Sequence, residues 1–360
     1  MSLIDRTVTA AEFDLELAGS LNELSDRIAM GLPARLVERT AADLFQGRAH
    51  LLRADPRELV ALVEDPAVPF ADRLAAGRVL GLVGDPRCAP GAPQLVELPG
   101  GTVEIGLPAD EVTRVHEAWR HRGVRREWIE KETPRHRVHL RPYRLARYPV
   151  TNLEYAVFLR ETGHPELPTS WPFGTFCWER ANEPVWTVTE SAAQEYAGWL
   201  SRSLGRRFRL PTECEWEAAA AGPDGLDYPW GQAWLPDRAN TVEDGPLTTT
   251  PVGCYPAGRA VCGAEDMAGN VEEWVADDYA PYPGGPAIED DLAAHGSYRV
   301  ARGGSFTRFA DLARTRRRHG RYQRALYAIG FRLAEDLDDG GQPPGLPVSP
   351  AAAAGGDRSW

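Results

Sequence analysis

The stretch DMAGNVEEW, residues 266–274, crowds Asp266, Glu272 and Glu273 around Gly269-Asn270 and ends on Trp274. Carboxylates at this density suit three tasks. They hold a hard cation such as Ca2+, which takes six to eight oxygen ligands. They cap a turn through side-chain-to-backbone bonds. Or they face water. A second concentration of chemistry lies at 314–324, where six of the eleven residues are Arg and one is His319. In a chain of formal net charge −12 this run needs an anionic answer. The answer is either a ligand's carboxylate or phosphate, bound by bidentate pairing, or the protein's own acids.

The remaining histidines carry less. His136 and His139 in HRVH have a spacing that puts them on opposite faces of a strand. His116 and His121 sit five apart, slightly off one helical face, and read as surface residues. The five cysteines, Cys88, Cys177, Cys214, Cys254 and Cys262, are odd in number and contain no CxxC. They read as small buried hydrophobes rather than a disulfide framework. Eleven Trp are many for 360 residues and point to core edges or pocket walls. The acidic balance argues against nucleic acid and against an anionic membrane surface. No run approaches the ~20 apolar residues of a membrane helix, and the N-terminus has no apolar h-region. The expectation is a cytoplasmic protein.

The elements that must position these residues follow from periodicity. Residues 1–93 read as an Ala/Leu/Arg-rich helical extension, with helical spacing in SLNELSDRIAMGL and PARLVERTAADLFQGRAHLL. A helix pair follows around Asp65-Pro66 and stops at Gly84. One such unit cannot bury both faces, so it is expected to pack on the next domain. PQLVELPGGTVEIG reads as a β-hairpin around Pro99-Gly100-Gly101. DEVTRVHEAWRHRGVRREWIEKE is a charged helix-like insert, and RHRVHLRPYRLARYPVTN alternates as strands. Three helices come next, capped by Thr151 or Asn152, by Thr189 with Gly205 past its end, and ending at Gly222. Residues 223–310 are mostly loop, yet rich in Trp and Tyr, so something organises them; bound metal needs no secondary structure to do so. YRVARGGSF and IGFRLAED read as closing strands, and 337–360 as a low-complexity, disordered tail.

Eight segments occur in a fixed order: YPVTNLEYAVFL, PVWTVTESAAQEYAGWLS, RFRLPTECEWEAAAAG, YPWG, TTPVGCYPAG, DMAGNVEEW, RGGSF and GFRLA. Together they resemble the formylglycine-generating enzyme (sulfatase-modifying factor) family over about residues 94–336. That superfamily includes the catalytic domain of the ergothioneine-pathway sulfoxide synthase and a pyoverdine-tailoring enzyme. The resemblance implies an α+β, C-type-lectin-like fold with long ordered loops.

It also assigns positions. Asp266, the Gly269 and Val271 carbonyls and Glu273 fall on ligands of a structural Ca2+. The Asn240 side chain, the Thr241 carbonyl, Asp244 and the Pro246 carbonyl fall on a second one. The family's copper(I) sits between two cysteines after RGGSF; here those positions are about Arg308 and Ala313, and both thiols are missing. Ser305 matches the family's active-site serine. Glu272 stands where oxidase members carry a cleft-facing Trp, and a carboxylate there suits an acid, a base or a metal ligand. The sulfoxide synthases hold iron on histidines of a separate helical domain, whereas the helical extension here has His50 alone.

The expectation is therefore a non-heme-metal, oxidoreductase-like tailoring enzyme and not a copper formylglycine-generating enzyme. Glu272, Ser305 and His319 are its candidate catalytic residues. Arg316, Arg318 and Arg321 are its candidate contacts to an anionic small molecule or peptide. Structural Ca2+ and iron or another redox metal are the expected cofactors. The rival is a non-catalytic lectin-like binding module. A third reading is an adaptor whose helical extension holds a protein partner.

Overall fold

The computed structural model describes residues 21–337 apart from 34, 36, 38, 40–43, 291, 294, 295, 322, 323 and 325. The expected tail, beyond Leu337, lies outside the described residues, as does much of the helix expected over 33–52. Within that stretch Ala49–Arg53 forms a 3-10 turn. Among the described residues before it, only Asp26–Ala29, α1, is α-helical.

The helix pair forms as its punctuation dictates. Asp55 accepts from the Arg57 N–H, Pro56 takes the first position of α2 (Pro56–Glu64), and α3 (Phe70–Val83) stops at Gly84 with φ 100°. Leu59, Val63, Val79 and Leu80 bury against each other and against Cys254 and Tyr255 of the following domain. Gly77 lets α3 approach closely: a Cβ there would meet Pro251 at 2.8 Å. Asn182 fastens the contact, donating to the Gly77 carbonyl at 2.9 Å and to Asp85 at 2.8 Å. The inner face of the extension is thus spent on its own chain, while Leu52, Leu82 and Val83 stay exposed.

The expected hairpin does not form. β1 (Leu95–Leu98) pairs with β4 (Tyr143–Ala146), and β2 (Gly101–Ile105) pairs with β3 (His136–Leu140). Two long segments run antiparallel and both bend at the same level, where Pro99-Gly100 faces Arg141-Pro142. At Gly100, with φ 70°, any Cβ would strike the backbone of 140–142 at 2.6 Å. Pro99-Gly100 does break the strand, but it serves as a corner and not as the reversal that a hairpin needs.

The charged insert forms α4 (Val112–Trp119) and α5 (Arg126–Glu130). The capped helices follow the sequence closely. Thr151 and Glu154 form a capping box at α6 (Asn152–Thr162), and Thr212 and Glu215 form another at α8 (Glu213–Ala221). Thr189 caps α7 (Glu190–Leu204), which ends on left-handed Gly205. Tyr155, Phe158, Tyr196 and Phe331 pack between α6, α7 and the closing strand β8 (Ile329–Phe331). β6 (Glu272–Asp278) lies between β7 (Arg299–Arg302), antiparallel, and β8, parallel. β9 (Ala334–Asp336) and β5 (Phe208–Arg209) complete the sheet of β1 and β4.

The loops between α8 and β6 are organised by buried side chains. The Asn270 Oδ1 accepts from the Thr250 N–H at 3.1 Å and from Asn240 at 3.2 Å, while its Nδ2 donates to the Thr250 carbonyl at 3.2 Å. All five cysteines are free. No helix among the described residues is long and apolar enough to cross a membrane.

Gly77→Ala tests the docking of α3. Overpacking costs about 1–3 kcal/mol, against about 1 kcal/mol gained in helix propensity, so the urea midpoint should fall. Gly198→Ala on α7, where a Cβ meets only the end of Arg202 at 3.4 Å, should raise it. A rise in both would mean that α3 is not seated on Pro251.

Candidate active site

Glu272 and Glu273 are consecutive on β6, so the pleat sends them to opposite faces, and both are fully buried. Glu273 turns toward α8. Its Oε2 accepts from Arg332 Nε at 2.6 Å and Trp216 Nε1 at 2.7 Å, and its Oε1 accepts from Arg332 Nη2 at 2.6 Å. Both oxygens are therefore bound by N–H donors, and a guanidinium supplies the positive charge expected from calcium. Glu273 is corrected from metal ligand to ion-pair partner. Asp266 accepts from the Gly253 N–H at 2.7 Å, and burial pushes its carboxyl up to about 6. Gly269, with φ 76°, lies against the Asn240 carbonyl, where a Cβ would sit 2.5 Å away. Val271 is buried.

Glu272 turns the other way. Its Oε2 lies 2.6 Å from His319 Nδ1. An N–H at Nδ1 donates to the carboxylate and leaves the lone pair on Nε2. The imidazole is held below its ordinary pKa by burial, which outweighs the pull of Glu272, so the ring is neutral at neutral pH. Tyr327 stacks on the ring with centroids 5.1 Å apart. The Arg308 guanidinium lies over the same tyrosine, 4.4 Å from its centroid.

His319, Arg308 and Tyr327 line one pocket together with Lys131, Asp290 and Asp311. Leu21, Asn22 and Ala29 form part of its lining. Lys131 is buried against Asp290, and its ammonium is pushed down to about 8 by that burial.

The arginine run is not a ligand surface. Arg314 forks onto Glu132 at 2.9 and 2.7 Å, and Arg317 donates to Asp311 at 3.0 Å. Arg318 forks onto Glu213 at 2.8 Å twice, with the rings of Tyr279 and Tyr282 beside it. Arg316 pairs with Asp227, and Arg324 with Asp26. Arg316 and Arg318 are thus corrected from substrate contacts to internal ion pairs: the protein's own acids supply the answer. Arg321 alone of the three is exposed, on the wall of a second pocket beside Thr187 and Tyr327. Ser305 is fully buried and shares a hydrogen bond with Thr307 at 2.9 Å, outside the wall of the His319 pocket.

Of the three candidate catalytic residues, the fold brings together Glu272 and His319. Sequence reasoning named Arg308 only as a missing thiol, and it missed Lys131, Asp290 and Tyr327. No spacing signal joins these, because their partners are distant in the chain.

Neither family metal centre fits the donors present. Arg308 and Ala313 occupy the thiol positions. Among the described residues no group of three His, Cys, Asp or Glu is placed to hold a metal. His50, the lone histidine of the extension, is exposed.

A mixed helix-and-sheet fold with long ordered loops is what the order of the sequence motifs implies for a sulfatase-modifying-factor-type scaffold. The comparisons agree: the family model described as "Sulfatase-modifying factor enzyme 1-like domain" matches residues 83–337, and the chain belongs to that family. It is 34% identical over 249 residues to a hercynine oxygenase of Mycolicibacterium thermoresistibile, covering 58% of this chain and 54% of that one. The chain therefore spans about half the length of that relative. It is 31% identical over 267 residues to the formylglycine-generating enzyme of Streptomyces coelicolor, covering 58% of this chain and 82% of that relative. The structure of PvdO from Pseudomonas aeruginosa superposes with a TM-score of 0.53 at 28% identity, covering 70% of this chain and 97% of PvdO.

Breaking a buried pair leaves an uncompensated charge and costs about 3–5 kcal/mol. Arg318→Ala should lose that much in urea denaturation, while exposed Arg321→Ala stays within about 0.5 kcal/mol of the parent. Full stability in Arg318→Ala would return that residue to the ligand-binding candidates.

Proposed function

We propose that this chain is a small-molecule tailoring enzyme of its family, in which His319, oriented by Glu272, moves a proton at a bound substrate. The observation that carries the reading is the 2.6 Å bond between His319 Nδ1 and Glu272 Oε2 beside a pocket. That bond fixes the tautomer, so Nε2 is the atom that accepts a proton and later returns it. The pocket supports a small ligand better than a peptide, because Leu21, Asn22 and Ala29 cover part of it. The relatives named hercynine oxygenase support small-molecule oxidation as the reaction class. Copper chemistry on thiols is not part of the reading. A redox metal would need ligands beyond the Glu272–His319 pair, whose two groups are bonded to each other. Arg308 lies 3.9 Å from Glu272 and adds positive charge that opposes a cation there. Metal analysis of the purified protein measures this directly.

The test of turnover starts with hercynine and related small molecules, with products read by mass. His319→Gln and Glu272→Gln should each lower kcat by about 10^2–10^4-fold, the range for a lost general acid–base group. The base must be neutral, so kcat/KM should rise with pH through an apparent pKa below the ordinary ~6.5 of imidazole and be flat above it. Unchanged kcat in both variants removes the dyad from the mechanism. Ligand binding without any turnover would leave a binding module on the same scaffold. A sulfatase-type cysteine peptide with Cu(I) and oxygen should give no aldehyde.

Of the two calcium expectations, the loop 240–246 keeps support. Asn240 Oδ1 is buried and accepts no hydrogen bond among the described residues. Burial raises the half-buried Asp244 carboxyl, and Arg39 Nη1 donates to the nearby carbonyls of Glu243 and Gly245 at 3.0 Å each. A cation is thus already welcome at this loop. Calcium at a hundred times its Kd should add about 2.7 kcal/mol of stability. Identical melting curves in EDTA and in Ca2+ would show that Arg39 suffices.

A further inference from the structure

We infer that Arg308 is the anchor for an oxyanion on the ligand, a carboxylate or a phosphate, in the pocket beside His319. The inference rests on that pocket being the functional site and assigns the chemical class of what enters it.

Arg308 differs from its neighbours in one respect. The buried arginines Arg302, Arg314, Arg317, Arg318 and Arg332 each donate a hydrogen bond to a carboxylate. Arg308 is just as buried, 6% exposed, but its nearest carboxylate oxygen, Glu272 Oε1, is 3.9 Å away, beyond hydrogen-bond range. Its Nε is occluded and has no hydrogen-bond partner among the described residues, and neither has that Glu272 oxygen. A buried cation without hydrogen-bonded compensation is costly, and such groups are normally paired. The Tyr327 ring under the guanidinium compensates only in part.

The other charges on the pocket wall are already spent. Lys131 is bonded to Asp290 and Arg317 to Asp311, while Glu272 gives its other oxygen to His319. An entering anion therefore finds one cation that no carboxylate hydrogen-bonds among the described residues. A planar carboxylate matches a guanidinium fork, and so does a phosphate. Glu272, 3.9 Å away, would repel it, so the anion belongs on the side of the guanidinium facing away from that oxygen. Apolar Leu21, Ala29, Phe309 and Leu312 line the rest of the pocket. The ligand is then a small molecule with one oxyanion and an apolar remainder, held with its body near His319.

The probes are acetate and inorganic phosphate, both small, titrated by calorimetry. Arg308→Met should weaken binding of the accepted anion about ten- to a hundredfold, the worth of charge-assisted hydrogen bonds. Arg308→Lys, which keeps the charge and loses the fork, should fall between. His319→Gln should bind as the parent does. Acetate binding with phosphate excluded assigns a carboxylate, and the converse assigns a phosphoryl group. Should the Met variant not fold, phenylglyoxal labelling of the parent reads the same residue: Arg308 should be labelled and then protected by the bound anion, with Arg318 as the unreactive control. Anion binding that is absent, or equal in parent and Arg308 variants, or without protection of Arg308, overturns the anchor. If His319→Gln loses turnover in that case, the site reading stands and only the anchor falls. If turnover survives as well, the site reading falls with it.

Discussion

One guanidinium holds much of this scaffold together. Arg332, just past β8, forks onto Glu273 of β6 and donates as well to the carbonyls of Ala146, at the end of β4, and Glu265, in the loop before β6. Four segments thus meet at one fully buried side chain. A fold poor in long strands cannot satisfy its backbone through sheets alone, so side chains must reach the remaining carbonyls. Arginine suits the task because its five donors span several acceptors at once. The same device recurs at Arg302, which bridges Glu213 and Glu217, one turn apart on α8.

This device explains what the sequence concealed. Local signals were legible because their physics is local. Thr151 with Glu154, Thr189, Thr212 with Glu215 and Gly205 are caps whose partners lie within four residues. The arginine run misled because its partners lie far off: Glu132 is 182 residues from Arg314, and Glu213 is 105 from Arg318. Charge arithmetic counts ions and cannot say which acids the fold delivers. The bend at Pro99-Gly100 failed for a related reason. A glycine turn marks a break in direction, and only the partner strand, 40 residues on, decides between reversal and corner.

The candidate site was half legible. Glu272 and His319 were each singled out, one for standing where a tryptophan belongs and the other for lying in the charged run. Their bond spans 47 residues and depends on β7: the His319 and Ala301 backbones bridge each other, which hangs the histidine beside the strand that carries Glu272. Arg308 was visible only as an absence of thiol, because its meaning lies in having no carboxylate within hydrogen-bond distance, and that becomes visible only when the other buried arginines described have each bonded one.

The two glutamates show how one short stretch serves both stability and chemistry. Pleating alone separates them. Glu273 meets two N–H donors of Arg332 and one of Trp216, so its charge is fully answered and its face of β6 is structural. Glu272 meets an imidazole that burial keeps neutral, and a guanidinium that stops short of it. Its face is left with a carboxylate oxygen and a guanidinium Nε that find no hydrogen-bond partner among the described residues. Unsatisfied polar groups in a core are costly, and a ligand that completes the Arg308 guanidinium would stabilise the chain. The asymmetry across a single strand is thus the physical reason to place function on the Glu272 side and to regard the Glu273 side as the frame that holds it still.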